Sequence, residues 1–260
     1  MAQQGKGKGK GPVKEKAEEQ TIEIVKCRLK QTDFDDLIHG YQIDSIFEPE
    51  LPSSSDTALC APVGKITLYK DFFSIGNFRL PITRFVLEVL ATSELHITQI
   101  HPLSMARLRH FEYVCRCKGV APTMERLMVF YSFRSDRRSG GWYSLVGRSK
   151  VSSIASDPPR SLHDWKSQFF FISAEAIPLA MRFLQGKEVP EVKVGPYEEA
   201  DWFKAVSAKA TPLREYAEYA LVLLGMSRIW EDPRRVPIIK DNGVGKYFLF
   251  IFTRIMSLRV

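Results

Sequence analysis

Four cysteines in 260 residues, irregularly spaced at Cys27, Cys60, Cys115 and Cys117, do not make a disulfide framework. The first residues are Gly and Lys rather than an apolar leader, and no Asn-x-Ser/Thr sequon occurs. Four free thiols in a reducing compartment are therefore expected. The longest apolar runs, around Ala220–Met226 and Tyr247–Phe252, fall far short of the ~18–20 residues that a membrane helix needs. These absences exclude a secreted disulfide scaffold. They lead us to expect a soluble intracellular protein of the nucleus or cytoplasm, with no membrane partner.

Catalytic signatures are equally scarce. His110-Phe111-Glu112 has the H-x-E half of a zinc deaminase signature, but no Pro-Cys-x-x-Cys follows. Cys115 and Cys117 are two residues apart and on a helix would point about 200° from each other, too divergent to share a metal. Gly243-Val244-Gly245-Lys246 resembles a phosphate loop, but Tyr247 replaces the required Ser/Thr and Lys240 stands where the earlier Gly belongs. There is no Gly-x-Ser-x-Gly elbow. Asp56-Thr57 is followed by Ala58, so a retroviral-type aspartic protease motif is absent, and no Tyr-x-Asp-Asp occurs. The five His (39, 96, 101, 110 and 163) are scattered. No catalytic residue, metal, cofactor or small-molecule substrate is expected.

What is present is an ordinary core-forming composition, 45% hydrophobic with 17 Phe and 4 Trp, so bulky aromatic packing is expected. The net charge of +7 is uneven. Residues 1–16 hold five Lys and one Glu, and residues 134–150 hold four Arg and one Lys against one Asp. Clustered cations point to a polyanionic partner, RNA or DNA; a solubilising tail and a solvated loop would read the same way. The candidate nucleic-acid-binding residues are Lys6, Lys8 and Lys10 in the tail, then Arg134, Arg137, Arg138, Trp142, Tyr143, Arg148 and Lys150. In that second stretch Arg would bind phosphate, and aromatics, if exposed, would stack on bases. The alternative for Trp142 and Tyr143 is burial in a β ribbon.

The pattern of elements predicts a mainly α fold: a single helical globular domain over residues 21–260, with a small β ribbon, behind a disordered basic Gly/Lys tail over 1–20. Helices are expected from Thr32 or Asp33, over Leu68–Ile75, after Pro81, from Leu103-Ser104, and from Pro122-Thr123. Further ones are expected over Tyr197–Ala208 and Pro212–Leu224, the last closed by Gly225. Trp142–Val146 and Phe169–Ile172 read as strands that pair with each other. Asp157-Pro158-Pro159 reads as a turn.

Several stretches occur in an order that resembles the gypsy-type transposon domain of plants. They are Pro62–Tyr69, Phe72-Phe73, Gly76–Pro81, His96–Pro102 and His110–Tyr113. Then come Gly141–Tyr143, His163–Lys166 before Phe169–Phe171, Ala220–Val222, and Gly225–Ser227 near Trp230. The similarity spans roughly residues 32–237. Such domains open longer proteins, and Tyr247–Val260 departs from the usual continuation. The resemblance implies a transposable-element-derived protein with no established catalytic residues to transfer. The expected role is Gag-like: association with nucleic acid, or assembly with itself. A protein–protein adaptor is the alternative, and a transposase-like nuclease a further one.

Overall fold

A computed structural model describes residues 20–135, 140–157, 161–177 and 189–227. The chain enters through a turn at Thr21, whose carbonyl accepts from Ile24 and Val25 N–H. It then runs extended to helix α1, Gln31–Gly40, which buries Phe34 and Leu37. Strand β1, Lys65–Tyr69, turns directly into the short helix α2, Lys70–Ser74. Helices α3 (Arg84–Ser93), α4 (Pro102–Cys117) and α5 (Met124–Phe130) follow. Helix α5 ends at strand β2, Tyr131–Ser135, which forms a hairpin with β3, Tyr143–Gly147. The remaining elements are β4 (Ala155–Ser156), β5 (Phe169–Ser173), α6 (Asp201–Ser207), β6 (Thr211–Pro212) and α7 (Glu218–Leu223).

The expectation of a mainly α fold is not met. Among the described residues 38% are helical and 15% lie in strands, a mixed α/β fold with small sheets. Two strands hide inside segments that the sequence pattern reads as helix. Leu68 and Tyr69 belong to β1, and the helix expected over Leu68–Ile75 is only α2. Likewise the pattern after Thr123 runs on past Phe130 into β2.

The expected ribbon is also differently paired. Strand β3 takes β2 as its partner, in register Phe133↔Leu145, and β5 takes β1, in register Thr67↔Phe171. The reason is burial. Strand β5 is apolar at four successive positions and must be covered on both faces, as strands of two-sided sheets are. Phe170 meets Phe34 and Phe73 with ring centroids 5.9 Å away in each case, whereas Phe169 lies against Tyr69 at 6.3 Å. Glu50 bridges the second edge of β5 at Phe171, so both edges are filled.

Helix α4 is the centre of the core. Its Thr-free first turn begins at Pro102, with His101 Nδ1 accepting from Leu103 N–H at 3.0 Å as the cap. Phe111 packs on Phe85 of α3 and Phe130 of α5. Gly76 is required at the α2–α3 turn, because a Cβ there would lie 2.4 Å from the Phe72 carbonyl oxygen. Helices α6 and α7 are shorter than their sequence patterns, and Leu213 and Tyr216 are buried from extended chain before α7 begins. Gly225 closes α7 with φ +65, the left-handed conformation expected of a C-terminal Gly. Residues 1–19 of the tail expected over 1–20, Pro158-Pro159 of the expected turn, and the Gly243–Tyr247 stretch lie outside the described residues.

Candidate nucleic-acid interface

The two basic stretches are more than a hundred residues apart in sequence, yet the chain just after the first meets the middle of the second, at Ile22 and Gly140; Arg148 and Lys150 lie at the other end of the hairpin, where Gly147 pairs with Tyr131. Gly140, just ahead of β3, accepts a hydrogen bond from Ile22 N–H at 3.1 Å. Gly141, at φ +101, lies so close to Ile22 that a Cβ would meet the Ile22 side chain at 2.4 Å. Glycine is needed there both for the backbone angle and for the contact. The start of the described chain and the residues that lead into β3 are thereby fixed together. Lys166 joins them: its ammonium donates to the Gln20 carbonyl at 3.4 Å and sits 4.8 Å over the Trp142 ring.

The candidate residues divide on burial. Arg134 is exposed near the end of β2; Arg148 and Lys150 are exposed after β3, with Arg148 Nε donating to the Tyr131 carbonyl at 3.0 Å. Trp142 and Tyr143 are core residues, 1% and 2% exposed. The Trp142 indole N–H donates to the Tyr69 hydroxyl at 2.8 Å, and its ring stands edge-on to Trp165. The Tyr143 carbonyl accepts from His101 N–H, and burial pushes its phenol pKa up. Neither ring is available to stack on a base. Their contribution is to support Lys166 and the hairpin. Lys6, Lys8, Lys10, Arg137 and Arg138 lie outside the described residues.

Three cations that the sequence reading passed over lie on the same incoming chain. Lys26, Arg28 and Lys30 are exposed, while Cys27 and Leu29 between them are buried. The signal was legible as a period-2 alternation, Lys-Cys-Arg-Leu-Lys, the mark of an extended segment with one face buried. Hydrogen bonds hold both of its edges. Cys27 N–H donates to the Asp56 carbonyl and Arg28 N–H to the Ser167 carbonyl, each at 2.8 Å.

The charged and titratable groups of the interior are used differently. Arg109 and Glu112 of α4 pair at 2.5 Å, with 1% and 0% of their side chains exposed. Arg109 also donates to the carbonyls of Asn77 and Met226, and Arg116 donates to Glu112 and to the Leu224 carbonyl. This network fastens the C-terminal end of α7 to α4. His110 turns away from it: Nε2 lies 3.2 Å from the Ile154 carbonyl and must carry the proton, so Nδ1 accepts from the Tyr216 hydroxyl at 2.5 Å. Burial lowers its pKa. The His and Glu of the H-x-E triplet therefore serve separate networks. Among the described residues no group of three or more His, Cys, Asp or Glu is placed to hold a metal ion, and no helix is long and apolar enough to cross a membrane.

Compared with models of known families, with curated proteins and with solved structures, the chain matches none.

Proposed function

We propose that this chain is a non-catalytic, Gag-like nucleic-acid-associated domain, acting in the nucleus or cytoplasm and derived from a transposable element. The observation that supports the reading is the Ile22–Gly140 hydrogen bond, which brings the chain that follows the Lys-rich tail against the Arg134–Gly141 part of the second basic stretch. Charge distribution supports it as well. The described residues hold 20 of the chain's 37 Lys and Arg and 22 of its 30 Asp and Glu. The described part is thus two charges negative, and the remaining residues carry nine positive charges. Three of those nine fall in residues 1–19 and 136–139, which adjoin Ile22 and Gly140 in sequence, and four in residues 228–260. A near-neutral body with cationic segments attached attracts a polyanion to those segments rather than over its whole surface. The derivation from a transposable element rests on the resemblance of the ordered stretches to the gypsy-type transposon domain.

The test is fluorescence anisotropy with single-stranded RNA and duplex DNA over a salt series. It compares the full chain with two variants: Lys6, Lys8 and Lys10→Ala, and Arg134, Arg137 and Arg138→Ala. Binding that weakens steeply with salt, and weakens further in both variants, is the expected result. Absence of binding at moderate salt would retire the reading in favour of a protein–protein adaptor.

A further inference from the structure

The sequence alternation at residues 26–30 becomes, in the fold, a straight row of cations on a rigid support. Lys26 pairs with Thr57 through a backbone bridge, and Lys30 has extended dihedrals, φ −84 and ψ 154, as it enters α1. Residues two apart on such a segment stand on the same face about 6.6–6.8 Å from each other, so the three side chains span about 13 Å. The backbone between them is fastened on the Asp56 side and on the Ser167 side. The Cys27 thiol adds a hydrogen bond to the Phe169 carbonyl beneath.

None of the three side chains has a hydrogen-bond or ion-pair partner among the described residues. Two neighbouring carboxylates are engaged elsewhere: Asp56 accepts from Ser53 N–H and Asp33 pairs with Lys70, while Glu23, also exposed, stands three residues ahead of Lys26. Three adjacent cations without an ion-pair partner repel one another, and a fold gains nothing from holding them in line. An external polyanion removes that repulsion. The row continues toward Lys166, next to the Ser167 that holds Arg28, and so toward the end of the hairpin where Ile22 meets Gly140.

We infer that Lys26, Arg28 and Lys30 form a phosphate track for a single nucleic-acid strand, one cation to a phosphate. The inference rests on the nucleic-acid reading above and adds to it the part of the folded surface that holds the strand. The track reads backbone rather than bases. Every Phe, Tyr and Trp side chain among the described residues is buried or half-buried, so none of these rings stands fully exposed beside the row as a stacking platform. Binding is therefore tolerant of sequence and carried by counterion release.

The experiment uses the full chain, fluorescein-labelled dT20, dC20 and dA20, and the variant Lys26, Arg28 and Lys30→Ala, with affinity measured from low to moderate salt. Each lost contact removes about 0.7 from the slope of log affinity against log salt for a single strand, so the variant is expected to lower the slope by about 2. The three homopolymers are expected to bind within a few-fold of one another. A second measurement needs no variant: acetylation of the wild-type protein, with and without dT20. Lys26 and Lys30 are expected to be protected, with Lys118 and Lys209, also exposed, labelled equally in both states. If the wild type binds no strand, the nucleic-acid reading and the track fall together. If it binds, but the variant keeps affinity and slope and Lys26 and Lys30 stay reactive, the track alone is overturned. Equal dependence of binding to phosphatidylserine vesicles on the three residues would overturn it as well, since the row would then serve any anionic surface.

Discussion

Glu112 accepts from the Thr83 hydroxyl and from two guanidiniums, Arg109 and Arg116, while fully buried. The Thr83 hydroxyl in turn accepts from Arg109 Nη1 at 3.0 Å. One carboxylate thus balances two cations, and burial lowers the pKa of Arg109. Replacing such an ion pair whole by apolar residues can be neutral, but removing one partner strands the other. Glu112→Ala is therefore expected to destabilise the fold by about 3–5 kcal/mol, with a smaller loss for Glu112→Gln, which keeps an acceptor oxygen. Urea midpoints would measure both, and a loss in Glu112→Ala within about 1 kcal/mol would mean that Arg109 is satisfied by carbonyls alone. Histidine supplies the pH dependence. Burial pushes His96 from its ordinary 6.5 down to about 4, and its Nδ1 accepts from Thr98 N–H at 3.2 Å, an arrangement that needs a bare nitrogen. The folded state favours neutral imidazole, so His96 contributes stability above pH 6.5 that is lost as the pH falls toward 4. His110 acts in the same direction. Urea midpoints should be level above pH 6.5 and drop below it. His96→Asn, which can cap Thr98 without titrating, should make the drop shallower. A midpoint unchanged from pH 7 to 4.5 would contradict burial of the neutral rings.

Elements differ in how far their residues announce them. Helix α4 was readable from Leu103-Ser104 onward by its apolar spacing, because its period is carried by sixteen residues, and it starts one residue earlier, at Pro102. The Arg109–Glu112–Arg116 face was readable as a stripe, but not as an interior one. Charge at i, i+3 and i+7 looks like a solvated face unless the carbonyls of Leu224 and Met226 are known to sit opposite. Strands of five residues at helix junctions were the hidden part. Tyr131–Ser135 follows α5 without a break, and only its pairing with Tyr143–Gly147 makes it a strand. The aromatic run of β5 was legible as a strand, but the partner was not, since Lys65–Tyr69 lies a hundred residues upstream and is selected by tertiary burial. The candidate interface shows the same division. Basic clusters are visible in composition, whereas the meeting of Ile22 with Gly140 is a long-range contact that no local pattern encodes. Trp142 and Tyr143 were placed among the binding residues by their neighbours in sequence, yet both are buried, Trp142 against Tyr69 and Trp165.

Across the whole molecule, charge separates into two populations with different tasks. Arg79, Arg109, Glu112 and Arg116 are spent on closing the chain around α4, with Arg79 Nε donating to Glu218 of α7 at 2.7 Å. Lys26, Arg28, Lys30 and Arg134 face outward. Charges that already hold internal partners contribute little to a distant field, whereas outward unpaired ones dominate the encounter with a polyanion. The two populations should then separate under mutation. Lys26, Arg28 and Lys30→Ala is expected to leave the urea midpoint within about 1 kcal/mol of the parent, as exposed substitutions do, while lowering the affinity for dT20 at low salt. Glu112→Ala, measured without denaturant under conditions where circular dichroism shows it folded, is expected to do the reverse: a lower midpoint with the parent's salt slope, because it alters no outward cation. If Glu112→Ala flattens the slope as much as the track variant does, the interior network and the outward cations are coupled through the fold. Binding would then depend on how tightly α4 holds α7, rather than on the row of cations alone.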